Sequence, residues 1–178
     1  MKAHTADTLT QGQLREALDY DPATGLFTWR EDRQHNAKRG GVAGVRVPLG
    51  GRCRHRFYWR LSLYNRAIYA HRAAFLWMTG RFPPPRLDHK NRNGEDNRWL
   101  NIRPCPSHAA NVANTQARSH NKLGVKGVRK HWNRYVARII VNRKEQHLGS
   151  FKTVEEAARA YDAAAILHHG EFAGVNYP

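Results

Sequence analysis

Apolar residues recur at helical spacing at Leu9, Leu14, Ala17 and Leu18, and the turn-forming run Asp21-Pro22-Ala23-Thr24-Gly25 then breaks the pattern. The chain is therefore expected to open with a short helix over residues 9–18, a turn and a strand at Leu26–Trp29. Residues 30–56 are basic and Gly-rich without clear periodicity, which predicts loops and short strands. Phe57–Leu63 and residues 67–70 flank Tyr64-Asn65-Arg66 as a hairpin, and the apolar stretch 71–78 reads as a helix ended by Gly80. Pro83-Pro84-Pro85 forms a stiff connector. Residues 87–114, rich in Asp, His, Asn and Arg, are poor core material and suit a segment that builds a site.

The pattern changes after a polar stretch at 117–123. Three short strands follow at 125–130, 134–141 and 145–151, with turns at Trp132-Asn133 and Asn142-Arg143-Lys144. Strand alternation puts Tyr135, Ala137, Ile139 and Val141 on one face and Arg134, Val136, Arg138 and Ile140 on the other. Thr153-Val154-Glu155-Glu156 is a capping box opening a helix to about residue 168, with Val154, Ala157, Ala158, Tyr161 and Ala165 as its apolar stripe. Small alanines let that stripe approach the apolar sheet face closely, leaving the arginine face exposed. The expected class is α+β in two domains: 1–116, with its core at about 86–116, a linker at 117–123, and 124–178.

Charge narrows the partner. The formal charge is +16, from 30 Lys plus Arg against 14 Asp plus Glu, more than solubility requires and suited to a polyanion. Residues 1–116 carry 19 basic and 9 acidic residues and residues 117–178 carry 11 and 5, so neither part is merely a basic tail. The two widely separated cysteines, Cys53 and Cys105, exclude a disulfide scaffold and a Cys₄ zinc ribbon, so no structural zinc is expected. No run of ~18 apolar residues occurs and the N-terminus is polar, so the expectation is a soluble, cytoplasmic protein without a membrane partner.

Asp88-His89 sets a carboxylate beside an imidazole, and Asn91-Arg92-Asn93-Gly94 can turn the chain back so that Asn101 lies opposite His89. A histidine acting as general base needs one ring nitrogen for water and the other held by a partner, which the Asn101 carbonyl can supply. Ser107 is placed to cap a following helix, with Asn111 one turn inside it as a second oxygen ligand for a hard cation.

These residues, Leu87-Asp88-His89-Lys90-Asn91, Asp96-Asn97-Arg98, Asn101-Ile102-Arg103, and Asn111 with Asn114, resemble the HNH homing endonucleases of phages and introns. The resemblance implies a ββα-metal (His-Me finger) fold gripping one divalent cation, Mg²⁺ or Mn²⁺. It further implies His89 as general base, Asp88 as metal ligand, Asn101 as the residue orienting the base, and Asn111 as second ligand. Asn97 and Arg98 would brace the loop. The stretch 104–110 is one residue longer than the family pattern, which makes His108 the alternative to Asn111. Hydrolysis would leave 5′-phosphate and 3′-hydroxyl ends. One constellation per chain implies a nicking monomer; cutting both strands takes a dimer or rebinding. His71, at the start of the preceding helix, reads as a packed or capping histidine and Cys105 as a small buried hydrophobe. Arg52, Arg54, Arg56 and Arg60 suit either a solvated face or phosphate contacts.

In the C-terminal part, Gly127-Val128-Arg129, Trp132, Leu148-Gly149-Ser150-Phe151 and the block from Glu155 to Ala165 resemble the ethylene-response-factor (Apetala-two) DNA-binding domain. That family reads the DNA major groove with a three-stranded sheet backed by a helix. The matching positions imply that Lys126, Arg129, His131, Trp132, Arg134, Arg138 and His147 face double-stranded DNA. Arg138, Glu145 and His147 depart from the family pattern, so the plant target does not transfer. The expected function is a site-targeted DNA endonuclease; the alternative is a DNA-binding regulator with an inactive HNH site.

Overall fold

The computed structural model describes residues 9–33, 37–48, 57–117 and 121–177. Cys53, Arg52, Arg54 and Arg56, and residues 118–120 of the expected linker, lie outside them. The protein is mixed α and β, with four α-helices and small antiparallel sheets among the described residues. It divides into two compact units, one ending at Cys105 and one beginning at Pro106.

In the first unit, α1 (Gln11–Ala17) begins in a capping box between Thr10 and Gln13. Two of four orphan N-terminal donors are thereby satisfied. The helix is shorter than the expected 9–18, because Leu18 already belongs to β1 (Leu18–Asp21), which pairs with β2 (Leu26–Trp29) from Leu18↔Trp29 to Asp21↔Leu26. Leu18 and Tyr20 fit a strand with one buried face as well as they fit a helical stripe, and the pairing decides. A three-stranded sheet follows in the order β3-β4-β5, from β3 (Val45–Pro48), β4 (Phe57–Leu63) and β5 (Arg66–Tyr69). Tyr64 and Asn65 both take positive φ, 50° and 59°, the geometry of the tight primed turn whose twist matches paired strands. Helix α2 (Ala70–Thr79) ends where Gly80, at φ 70°, donates its N–H to the Leu76 carbonyl. Leu14, Leu18, Leu61 and Leu63 are fully buried at the centre of this core, each side chain contributing about 1.5–3 kcal/mol. The last hairpin pairs β6 (Leu87–His89) with β7 (Ile102–Pro104).

The second unit starts with α3 (His108–Ala113), capped by the Ser107 hydroxyl, which accepts from Ala110 N. Its sheet has the order β10-β9-β8, from β8 (Val128–His131), β9 (Arg134–Val141) and β10 (Lys144–Phe151). Helix α4 (Val154–His169) opens in the Thr153/Glu156 capping box and packs Ala157, Ala158, Tyr161 and Ala165 on Ala137 and Ile139. The division at Cys105/Pro106 falls ahead of the boundary expected after Gln116. Two donor residues tie the end of α3 to the later chain: Lys126 Nζ donates to the carbonyls of Ala113 (2.6 Å) and Thr115 (3.0 Å), and Gly174 N donates to Ala113 O. Such orphan helix-end carbonyls need donors, and neither donor is near them in sequence.

Candidate active site and sheet face

Asp88 stands opposite Arg103 in the β6–β7 register. Arg103 donates from Nε (3.0 Å) and Nη2 (2.7 Å) to Asp88 Oδ2, and both side chains are buried. A buried carboxylate is tolerated only with an opposite charge and hydrogen bonds around it, and Arg103 supplies both. His89 follows at the end of β6, 6 % exposed. Its Nε2 lies 3.3 Å from Asn97 Oδ1. Asn97, itself 2 % exposed, donates its Nδ2 to the Glu95 carbonyl, which fixes Oδ1 as the atom facing the ring. Nε2 therefore carries the proton, and the basic lone pair falls to Nδ1.

The asparagine on the His89 ring is thus Asn97, where Asn101 was expected. Asn101 instead closes the loop: its Oδ1 accepts from Asn91 N (3.0 Å), its Nδ2 donates to Asp96 O (2.7 Å), and its carbonyl accepts from Lys90 N (2.9 Å). The physical reason is register. His89 pairs with Ile102, so Asn101 lies one residue beyond the ladder, in a single 3₁₀ turn at Trp99–Asn101. Arg98 does brace the loop, holding both oxygens of Asp96 through Nε (2.8 Å) and Nη2 (2.6 Å).

Residues far upstream hold this loop as well. The Tyr20 hydroxyl donates to Asn97 O at 2.7 Å, Trp99 N donates to Pro22 O at 3.0 Å, and Gly25 at φ 77° lies so close to the Asn97–Arg98 peptide that a Cβ would collide with it. Burial, with the nearby Asp21 and Asp96 charges, raises the Tyr20 phenol well above its ordinary pKa, so it remains a donor. The β1–β2 hairpin is therefore a clamp on the site loop. The turn run at 21–25 was visible in the sequence, but its use as a clamp was not.

His89 sits in a ring cluster that sequence reasoning left out. Its ring is 5.1 Å from His71 and 5.8 Å from Tyr58, while His71 stacks on Tyr69 at 5.7 Å. His71 Nδ1 is buried with no hydrogen-bond partner among the described residues. Burial, then the neighbouring His89 and Arg72 charges, pushes the His71 pKa down to about 3. His89 is lowered by burial too, against opposing contributions from Asn97, Asp88 and Asp96. Both imidazoles are neutral at neutral pH, the form in which His89 can accept a proton.

The other expected ligands belong to the second unit. Asn111 and His108 lie on α3, both exposed, and Asn111 N donates to Ser107 O in the first turn. Among the described residues no group of three or more His, Cys, Asp and Glu side chains converges as a metal site. Mg²⁺ does not require one, since it commonly keeps water and substrate phosphate oxygens around one or two carboxylates. Asp88, held in place by Arg103, is a carboxylate of the kind that fits that role.

In the second unit, paired residues of antiparallel strands point to the same side. The register Arg129↔Val136, His131↔Arg134, His147↔Arg138 and Glu145↔Ile140 therefore assembles Arg129, His131, Arg134, Arg138 and His147 on one face, opposite the one α4 covers. Trp132 is 85 % exposed at the β8–β9 turn. Lys126, nominated for the same face, has its ammonium committed to the end of α3. Arg134 Nη2 donates to Ser150 O at 2.9 Å, and Arg138 Nη1 to Glu145 Oε2 at 2.6 Å. No helix among the described residues is long and apolar enough to cross a membrane. No protein-family model matches this chain.

Proposed function

We propose that this protein is a site-targeted DNA endonuclease of the HNH homing type, in which the exposed sheet of the second unit selects the DNA and the His89 loop cuts it. The observation that carries the proposal is the buried, neutral His89 with its Nε2–H held by Asn97 and a fixed carboxylate, Asp88, beside it. That arrangement suits a general base, which needs a defined tautomer and a pKa no higher than the working pH. His89 would take the proton from the attacking water. Asn97 would keep the ring in place while the imidazolium forms, and Asp88 would stabilise that charge. A divalent cation held by Asp88 would supply charge stabilisation at the phosphate and the departing 3′ oxygen. The +16 charge and the arginine face support DNA as the substrate.

One observation favours the second reading, a DNA-binding regulator with a retired site. Arg103 already neutralises Asp88, which weakens its pull on a cation. Supercoiled plasmid carrying source-genome DNA, incubated with and without Mg²⁺ or Mn²⁺ beside His89→Ala, separates the two. Metal-dependent nicking lost in the variant is the expected result. Tight, salt-sensitive binding without cleavage in either ion would leave the regulator.

A further inference from the structure

Glu145 is a carboxylate on an otherwise basic face. Its register partner is Ile140, two positions along β9 from Arg138, and its Oε2 accepts from Arg138 Nη1 at 2.6 Å. The side chains of Arg138 and Glu145 are 40 % and 47 % exposed. An ion pair so wetted adds little to stability, and a negative charge on a surface that meets phosphates weakens non-specific attraction. Neither folding nor general affinity accounts for it.

Direction does. A guanidinium carries five N–H donors in a rigid plane, and Glu145 takes one at Nη1, which restrains the rotation of that plane. The neighbouring arginine is restrained in the same way, by Ser150 O on Arg134 Nη2. A planar fork held in advance loses less freedom on binding and matches the O6 and N7 acceptors that guanine shows in the major groove. We infer that Arg138 and Glu145 form a base-reading pair in which Arg138 donates to a guanine and Glu145, by holding the guanidinium, makes the contact selective. Glu145 is thereby a positioning residue for DNA specificity, an inference that rests on the DNA-binding reading of this face.

The full-length protein, kept with EDTA to hold back cleavage, is incubated with a randomised duplex DNA library, and bound sequences are read for wild type, Arg138→Ala and Glu145→Gln. The expected result is a guanine preference in the wild type that falls on the order of tenfold or more in both variants, at the same position. Glu145→Gln should at the same time keep or raise total affinity, since it removes a negative charge. A guanine preference unchanged in Glu145→Gln, with affinity merely raised for all sequences, would overturn the positioning role while leaving DNA binding intact. A guanine preference that survives Arg138→Ala would overturn the assignment of the reader. A wild type that retains no DNA at low salt would overturn this inference and the DNA-binding reading together. Circular dichroism of both variants should match the wild type, because the pair is at the surface.

Discussion

At the scale of single residues, His71 and Arg103 carry the sharpest consequences. His71 is pushed down to about 3 from an ordinary 6.5, so between those values the unfolded chain binds a proton that the folded one refuses. Stability is therefore full above about pH 6.5 and falls as the pH drops towards 3, by up to about 1.4 kcal/mol per pH unit for that one proton. The lowered His89 adds in the same direction. Denaturant titrations from pH 7.5 to 4.5 should show this slope in the first unit, and His71→Phe should flatten it; an unchanged slope would sink the assignment. For Arg103, replacement by Ala strands the buried Asp88 carboxylate, at an expected cost of about 3–5 kcal/mol. The double replacement Asp88→Leu/Arg103→Met should cost clearly less than Arg103→Ala alone, measured by the same titrations. The Asn97 and Asn101 roles show where sequence reading stops at this scale. Two asparagines four residues apart both suit the task of holding an imidazole, and only the extra turn at Trp99–Asn101 assigns it to Asn97.

At the scale of elements, close approach and capping decide. Gly127 takes φ 77° directly under the Tyr161 ring, where a Cβ would overlap the aromatic carbons. Gly127→Ala should destabilise the second unit by more than about 3 kcal/mol, combining backbone strain with overpacking of β8 against α4; a thermal melt reads it. Thr153→Ala removes the side-chain half of the α4 capping box and should cost about 1 kcal/mol. The two elements differ in legibility. The α4 capping box is local, four consecutive residues whose chemistry is complete in the sequence. The Gly127–Tyr161 contact spans 34 positions, and the glycine alone says only that the backbone is special there. Strand β9 was readable because its eight residues are rich in β-branched and aromatic side chains and lie between two turn signals, whereas β6 and β7, three residues each, are too short to give such a signal.

At the scale of the whole molecule, two compact units imply two cooperative transitions. Gly25→Ala, which sets a Cβ against the Asn97–Arg98 peptide of the site loop, should lower the transition of the first unit. Gly127→Ala should lower that of the second. Calorimetry showing a single transition moved equally by both would contradict the division. DNA affinity should also fall steeply with salt, log K decreasing linearly with log salt by about 0.9 for each phosphate neutralised. Arg129→Ala and Arg134→Ala, on the exposed face, should each reduce that slope; Lys126→Ala should not, since its ammonium is committed to α3.

The sequence by itself determined the strong positive charge, the mixed α and β composition, most strands of the second unit with the face α4 covers, and the pairing of Asp88 and His89 ahead of one turn. These follow from local rules: charge is additive, alternation has a period of two, and capping is a matter of neighbours. Only the tertiary structure decided that Asn97 holds His89, that Tyr20, Pro22 and Gly25 clamp the loop, that His71 lies against the candidate base, and that Lys126 serves α3 rather than the sheet face. Each depends on groups brought together from eight to more than seventy residues apart, or on one extra residue in a register, and neither leaves a mark in local periodicity.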